Sequence, residues 1–287
     1  MVIDVHYHPM FFKDLCETEE LCELRKQQQA YYKTGRADME RSIEISKIHG
    51  IDKCILLPHD YSVEYGDYID NAKVKEVVDK AGGAFWGFAS VDPARSDALE
   101  VVEHAFRDLG LSGLKLHPAK QHFYPQDEKM FPIYELCQKY NKPITFHAGL
   151  SWQPNAISDY ARPVNFEPIA VAFPKLRFSL AHMGFPWIAE TAALLAKYPN
   201  MYADTAAMYF DSAYEFYEYM FTKAIDYTWL DRGIRHQVMF GTNNPRWHGK
   251  RAIKALDMLG LREDTVELIK GKNALEFLGE EEITWLS

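Results

Sequence analysis

The sequence predicts an α/β protein, a parallel (β/α)8 barrel of the TIM type that fills a single domain over residues 1–287. Eight short apolar runs with strand character recur along the chain, and segments with a helical spacing of apolar residues separate them. No internal repeat, linker or low-complexity stretch interrupts this alternation. Such alternation is typical of parallel sheets, and barrels of this type commonly occupy about 250 residues. A doubly wound open sheet is the alternative, because strand counts taken from one sequence carry errors.

The strand predictions rest on apolar runs bounded by polar or turn residues. They comprise the segments 2–9, 51–57, 84–91, 112–118, 143–147, 176–182, 201–205 and 236–241. Between them, apolar residues at near-helical spacing predict helices, as Ile43 and Ile48 do before Gly50. The predicted helices are 37–49, 70–80, 98–109, 130–140, 187–197, 211–230, 250–259 and 264–278, with a helical turn near Ile169. The segment 11–32 is predicted to be a largely helical excursion over one face, and a polar, tyrosine-rich loop follows the second strand.

Charge and cysteine content favour an enzyme that acts on a small molecule. The 41 acidic and 32 basic residues give a formal charge of −9, which disfavours nucleic acid or an anionic membrane as the main partner. The four cysteines form no C-x-x-C pair, and no apolar run approaches the roughly 18 residues that span a bilayer. We therefore expect a small-molecule substrate and a reducing, cytoplasmic location.

Histidine recurs at the predicted ends of the strands, where barrels of this type carry their catalytic groups. Six of the eleven histidines have this placement, namely His6, His8, His59, His117, His147 and His182. Side chains two residues apart on a strand face the same way, so His6 and His8 can share one ion. The sequence therefore predicts a metal site at the mouth of the barrel.

Three imidazoles that hold one divalent ion, with water in the open position, form a catalytic metal site. His6, His8 and His147 are the predicted imidazole ligands, although His147 could instead be a core histidine bonded to backbone. His182, one strand further, is predicted to polarise or protonate the substrate or to donate to the metal-bound water. Its alternative is a tautomer-fixed histidine that supports a ligand from behind.

Other polar and aromatic residues are placed to contact a substrate at the same rim. Lys115 and His117 alternate on the fourth strand, so an ammonium group can hold a carboxylate there, unless Lys115 pairs with Asp204. Arg246 is predicted to clamp a carboxylate, with a surface ion pair as the alternative. Trp152, on the loop after the fifth strand, is a further predicted substrate contact.

The segment 208–229 is unusually aromatic, with nine Phe, Tyr and Trp side chains that include Tyr209 and Trp229. A ring-lined substrate pocket and a subunit interface would both use such side chains. Plain packing against the barrel is the alternative.

Six segments together resemble the amidohydrolase superfamily, in the branch of aminocarboxymuconate-semialdehyde decarboxylase-like and resorcylate decarboxylase-like enzymes. They are Asp-Val-His-Tyr-His-Pro at 4–9, Gly-Phe-Ala-Ser-Val-Asp-Pro at 87–93, Gly-Leu-Lys-Leu-His-Pro at 113–118, Pro-Ile-Thr-Phe-His-Ala-Gly at 143–149, Ala-His-Met-Gly at 181–184 and Gly-Lys-Asn-Ala at 271–274. The resemblance implies a distorted barrel, one divalent metal (zinc expected, manganese as the alternative) and a homodimer. It supports His6, His8 and His147 as ligands and His182 as the catalytic histidine.

The sequence departs from the family pattern after the eighth strand, where Asn243 stands in place of an aspartate. The resemblance implies that this aspartate binds the metal and moves a proton. The Asn243 carbonyl oxygen can still bind metal, but an amide has no proton-accepting state near neutral pH. Three explanations stay open: an engineered change, a natural variant that uses another base, and a non-catalytic descendant that only binds.

The function expected from these residues is a metal-dependent hydrolase that acts on a small carboxylate-bearing molecule through a metal-activated water. A non-oxidative decarboxylase of an aromatic or enoic acid is the alternative enzyme, and release of CO2 distinguishes the two. A barrel that binds without turnover and a metal-free lactonase are further alternatives.

Overall fold

Eight parallel strands lie side by side in chain order and form a barrel, as the sequence predicts. The computed structural model describes residues 1–31, 33–206, 208 and 210–282. In chain order the strands are β1 (Ile3–Tyr7), β2 (Lys53–Leu56), β3 (Asp60–Tyr61), β4 (Asp67–Tyr68), β5 (Phe85–Ser90), β6 (Gly113–Leu116), β7 (Ile144–Phe146), β8 (Phe178–Leu180), β9 (Met201–Asp204) and β10 (Val238–Met239). β3 and β4 form a separate antiparallel hairpin within the predicted tyrosine-rich loop, and the other eight strands form the barrel.

The first and last strands meet at a seam that closes the barrel. The Val5 N–H donates to the Phe240 carbonyl oxygen and the His8 N–H to that of Asn244, each at 3.0 Å. The open doubly wound sheet is therefore wrong.

Helices follow the strands at nearly every predicted position. They are α1 (Glu19–Gln29), α2 (Met39–Ile48), α3 (Ser62–Tyr65), α4 (Asn71–Lys80), α5 (Ala98–Arg107), α6 (Pro118–Gln121), α7 (Phe131–Lys139), α8 (Glu167–Ala172), α9 (Ile188–Lys197), α10 (Ala213–Glu218), α11 (Gly249–Asp257), α12 (Glu263–Glu267) and α13 (Asn273–Leu278). The predicted single helix 211–230 is wrong, because α10 runs into a π-helical turn and the chain is then extended at Ile225. There the Asp226 side chain accepts hydrogen bonds from the backbone N–H and the hydroxyl of Thr228, which competes with helical bonding.

Apolar side chains form an inner and an outer layer. The inner cluster joins Phe88 of β5 to Tyr202 of β9 and Phe277 of α13. β5 and β9 lie on opposite sides of the ring, so the cluster that joins them fills the barrel interior. The outer cluster packs the helices against the strands. The interior is therefore filled below the mouth.

β1 contains an extra residue that directs His6 toward the mouth. Its pairing with β2 advances three residues, from Asp4 to Tyr7, while β2 advances two. Val5 belongs to the inner cluster and Tyr7 to the outer one. This bulge lets neighbouring Val5 and His6 both face inward, the first below the site and the second within it.

Arg25 fixes the excursion that carries α1 to the hairpin of β3 and β4. Its guanidinium, buried with the rest of the residue, donates to the carbonyl oxygens of Met10, Leu15 and Tyr68 and to the carboxylate of Asp67. The four cysteines are buried and form no disulfide. No helix of the described residues has the length and apolar character needed to cross a membrane.

Candidate metal and substrate site

The residues predicted for the site converge at the carboxyl ends of the strands on one cavity of about 530 Å³. Eight of the nine line it, namely His8, Lys115, His117, His147, Trp152, His182, Asn243 and Arg246. The ninth, His6, lies behind the wall with its Nε2 atom 3.2 Å from the Nε2 atom of His8. The structure thus brings the whole predicted set together.

His6 of β1 and His8, which follows that strand, point ring nitrogens with free lone pairs at each other. The Nδ1–H of His6 donates to the Asp204 carboxylate at 2.8 Å, and the Nδ1–H of His8 donates to the Leu57 carbonyl oxygen at 3.2 Å. Burial lowers the pKa of both rings well below the usual range, so both are neutral. Each Nε2 atom is then a bare acceptor, and two such atoms at 3.2 Å repel unless a cation lies between them.

His182 presents a third nitrogen of the same kind. Its Nδ1–H donates to the Ala206 carbonyl oxygen at 2.8 Å, which leaves Nε2 unprotonated. Its backbone is in the left-handed region, with φ of 60°, directly after β8. Among the described His, Cys, Asp and Glu side chains, His6, His182 and Asp204 offer donor atoms within 4.8 Å of one another. Left-handed backbone at a non-glycine residue is characteristic of functional sites.

Asp204 is the residue of this centre whose part sequence reasoning missed. One carboxylate oxygen accepts from His6 Nδ1, and the other accepts from the backbone N–H groups of His182 and Ala206. A carboxylate behind a histidine fixes the ring's tautomer and orientation for metal binding. The available signal was that Asp204 lies near the end of the predicted strand 201–205, two strands beyond the one that carries His147.

His147 and His117 form the adjoining wall. Their rings stack with centroids 3.9 Å apart, and the His147 ring lies 5.1 Å from that of His182. Nε2 of His147 is buried and has no hydrogen-bond partner among the described residues. His117 differs, because its Nδ1 accepts the backbone N–H of Lys120 at 3.2 Å, so its Nε2 carries the proton and donates into the cavity.

The Lys115 side chain lines the cavity together with His117 and His147. It is 5% exposed, and its Nζ atom has no hydrogen-bond partner among the described residues. Burial lowers the pKa of Lys115 to about 8, although the charge of Asp204 acts to raise it. The predicted alternative, a direct pair with Asp204, is not among the described ion pairs, since that carboxylate is bonded to the histidines.

Asn243 and Arg246 line the opposite side with Tyr31, which the sequence did not single out. The Tyr31 hydroxyl donates to Oδ1 of Asn243 at 3.1 Å, and the Arg246 guanidinium lies 4.4 Å from the centroid of the Tyr31 ring. Tyr31 arrives on the excursion after β1, so the predicted excursion supplies part of the cavity wall. Gln29, at the end of α1, reaches Gln153 across the mouth.

The aromatic segment 208–229 packs mostly against the barrel. Phe210, Phe216 and Tyr219 surround Phe185 with ring centroids 5.8 to 6.0 Å from it. Met208 contributes to the cavity, whereas Trp229 is exposed. The prediction for Tyr209 falls outside the described residues.

The donor set fits a divalent metal ion. Nitrogens bound to one ion at about 2.1 Å, with tetrahedral or somewhat smaller angles, lie about 3.0–3.4 Å apart. The His6 and His8 nitrogens are 3.2 Å apart, and His182 and His147 bring further nitrogens to the same wall. Neutral imidazoles are the form that binds metal. The assignment of His147 as a ligand and of His182 as the catalytic histidine stays a prediction.

A family described as Amidohydrolase has a model that matches residues 3–279 of the chain. A search of curated proteins finds no match.

Solved structures share the barrel at low sequence identity. An uncharacterised TIM-barrel protein from Bordetella bronchiseptica is 20% identical with a TM-score of 0.76, over 97% of this chain and 98% of that chain. A 5-carboxyvanillate decarboxylase from Sphingomonas paucimobilis is 14% identical with a TM-score of 0.67, over 97% and 98%. A dihydroxybenzoic acid decarboxylase from a Polaromonas species, with bound manganese and the inhibitor 2-nitroresorcinol, is 15% identical with a TM-score of 0.68, over 97% and 96%. At these identities the likeness establishes the fold alone.

Proposed function

The chain belongs to the amidohydrolase family, and from that premise we propose that it is a metal-dependent decarboxylase of a small aromatic or unsaturated acid. The observation that carries the proposal is the polarity of the cavity. Lys115, His117 and Arg246 present hydrogen-bond donors to it, and no Asp or Glu is among the described residues that line it. Such a wall binds a carboxylate and can supply a proton.

His6 and His8 would hold the metal ion, together with His147 or His182 and the Asn243 carbonyl oxygen. Zinc and manganese both accept imidazole nitrogen and oxygen ligands. When bound, the ion acts as a Lewis acid that withdraws electron density from a substrate oxygen.

The protein residues then perform the binding and the proton transfer. Lys115, His117 and Arg246 hold the carboxylate, and the ammonium of Lys115 lies beside the carbon that bears it. A lysine whose pKa is about 8 is largely protonated at neutral pH and still a competent acid. The carbon–carboxylate bond breaks, CO2 leaves, and the electron pair left on carbon takes the Lys115 proton. Solvent reprotonates the amine.

The names of the similar structures support this substrate class. Two of the three described above are decarboxylases of hydroxylated benzoates by name. The hydrolase expected from the sequence is the second candidate, favoured by the unprotonated Nε2 of His182, which can accept a proton from water.

The test is release of CO2 from 5-carboxyvanillate, dihydroxybenzoates and simple enoic acids by the metal-loaded protein. We expect Lys115→Met to reduce the rate by about 10²-fold or more, as for loss of a general acid. Lys139→Met, at an exposed lysine that pairs with Glu103, is the control. Ester or amide cleavage without CO2 would replace the decarboxylase with the hydrolase, and binding without either product would indicate a barrel that only binds.

A further inference from the structure

One imidazole of the cavity, His59, is held by a buried carboxylate outside the candidate metal centre. It follows β2 and lines the cavity, and its side chain is 6% exposed. Nε2 lies 2.7 Å from a carboxylate oxygen of Asp67, and Nδ1 is buried with no hydrogen-bond partner among the described residues. The mechanism above leaves this side chain unused.

Asp67 sets the tautomer of His59. Burial alone would raise the pKa of Asp67, but His59 and Arg25 outweigh it and hold that pKa below its ordinary value. Asp67 is therefore an anion, 1% exposed, and it accepts the Nε2–H of His59. With one ring proton on Nε2, facing Asp67, the Nδ1 atom keeps its lone pair.

Arg25 keeps this pair in place. Its Nε–H donates to Asp67 at 3.1 Å, and its other groups donate to backbone carbonyl oxygens of the excursion and the hairpin. The face of the His59 ring stacks on Tyr61 at 4.9 Å and 17°. Packing and hydrogen bonds thus fix both the position and the tautomer of the ring.

His59 Nδ1 is a hydrogen-bond acceptor in the same cavity as the cationic donors Lys115 and Arg246. Lys115 and Arg246 only donate, and the free nitrogen of His117 carries its proton. His6, His8, His147 and His182 are the histidines considered for the candidate metal centre, and His59 is not one of them. A carboxylate-oriented imidazole with a free lone pair is the arrangement that accepts protons in many enzymes.

We propose that His59, oriented by Asp67, accepts a hydrogen bond and then the proton from a hydroxyl group of the bound acid. The inference rests on the proposed function and narrows the substrate to hydroxylated acids. Their carboxylate contacts Lys115, and their hydroxyl group contacts His59 Nδ1. In this step the substrate O–H bond breaks, its electron pair stays on oxygen, and an Nδ1–H bond forms on an imidazolium that faces the Asp67 carboxylate. The proton returns to the oxygen after CO2 has left. Asp67 acts as a positioning residue, because it contacts His59 and does not line the cavity.

The test compares binding of benzoate with that of γ-resorcylate and gallate, which carry hydroxyls at different ring positions, by calorimetry on the metal-loaded protein. We expect at least one hydroxylated probe to bind about tenfold more tightly than benzoate, the value of one hydrogen bond of about 1.4 kcal/mol. His59→Phe, which retains a ring against Tyr61, should abolish this preference, so that the hydroxylated probe binds no more tightly than benzoate to the same variant. His104→Phe, at an exposed histidine paired with Asp108, is the matched control and should retain it.

A nitrogen-15 NMR spectrum provides a second measurement. It uses the unmutated protein, so it does not depend on ligand binding by a variant. The His59 signal, assigned by its loss in His59→Phe or from backbone connectivity, should show Nε2–H and an unprotonated Nδ1 that shifts when the hydroxylated probe binds. An Nδ1–H tautomer, or a hydroxyl preference that survives His59→Phe, overturns the inference. If no acid loses CO2 but the preference depends on His59, the proposed function fails and the inference stands. If CO2 is released but the preference for hydroxylated probes does not depend on His59, the proposed function stands and the inference about His59 fails.

Discussion

At position 243 the backbone accepts either an amide or a carboxylate. Asn243 has a φ of 56°, and Asn and Asp are among the side chains that tolerate this left-handed region best. Its Oδ1 accepts from the Tyr31 hydroxyl, a bond that an aspartate oxygen can also accept. The substitution that restores the family residue should therefore leave the local structure unchanged.

We expect Asn243→Asp to bind the metal more tightly and to raise turnover by about 10²-fold or more, because it adds an anionic ligand and a proton-transfer group. Metal content after dialysis against a chelator and the initial rate of CO2 release are the two measurements. Asn243→Ala, which adds neither property, is the control. A variant with an aspartate that is no faster than the unmutated chain would show that this protein has moved its proton transfer to other residues, and the two we name are Lys115 and His59.

Much of the site was predictable at the residue scale because its histidines sit where barrel geometry places functional groups. His8, His117, His147 and His182 all follow strands and all reach one cavity. Their tautomers were not predictable, because these depend on hydrogen-bond partners that only the folded chain brings to each ring. For His117 the partner is a nearby backbone N–H, whereas for His6 it is Asp204, 198 residues away.

At the scale of elements, the excursion with α1 and the β3–β4 hairpin act as one unit through Arg25. The guanidinium and the Asp67 carboxylate are both buried, and the hydrogen bonds join residues 42 positions apart. Loss of one partner leaves the other charge buried without compensation. That cost is far larger than that of breaking an exposed pair.

We expect Arg25→Met to lower the free energy of unfolding by about 3–5 kcal/mol, the usual range for removal of one partner of a buried ion pair. Urea unfolding followed by far-UV circular dichroism provides the measurement. Arg107→Met, at an exposed arginine paired with Asp108, should change it by less than about 1 kcal/mol. Equal effects in the two variants would mean that the Arg25 network does not stabilise the fold.

The strands and most helices were predictable because each carries its own apolar pattern, whereas the hairpin was not. β3 and β4 contain two residues each, too short for any periodicity to show. The bulge in β1 was not predictable for another reason. It makes the neighbouring residues Val5 and His6 face the same side, whereas the sequence pattern of a regular strand predicts that they face opposite sides.

For the whole molecule, five neutral imidazoles at one end of the barrel make stability depend on pH. Burial is the main reason that each pKa lies well below the 6.5 of an unfolded histidine. Below pH 6.5 the unfolded chain therefore binds more protons than the folded one, and stability falls as the pH falls. Above pH 6.5 neither state is protonated at these rings, and this contribution is constant.

We expect the metal-free protein to lose stability between pH 7.5 and pH 5.5, by up to about 1.4 kcal/mol per pH unit for each histidine. Urea unfolding at the two pH values measures the loss, and calorimetry at pH 5.5 should detect several protons taken up on unfolding. The same experiment on a chain with His104→Phe, at an exposed ring, should give the same slope. A midpoint that is independent of pH would mean that these rings bind the same number of protons in the folded and in the unfolded state.

Because β1 pairs with the last strand of the barrel, the site can be completed only late in synthesis of the chain. The strand that pairs with β1 is synthesised more than 200 residues after His6 and His8. Until that strand arrives, β1 has an unpaired edge and the candidate ligands have no closed wall around them. A chain that ends before position 238 therefore lacks both the closing strand and Asn243. We expect the complete metal site to form only after the last strand has been synthesised.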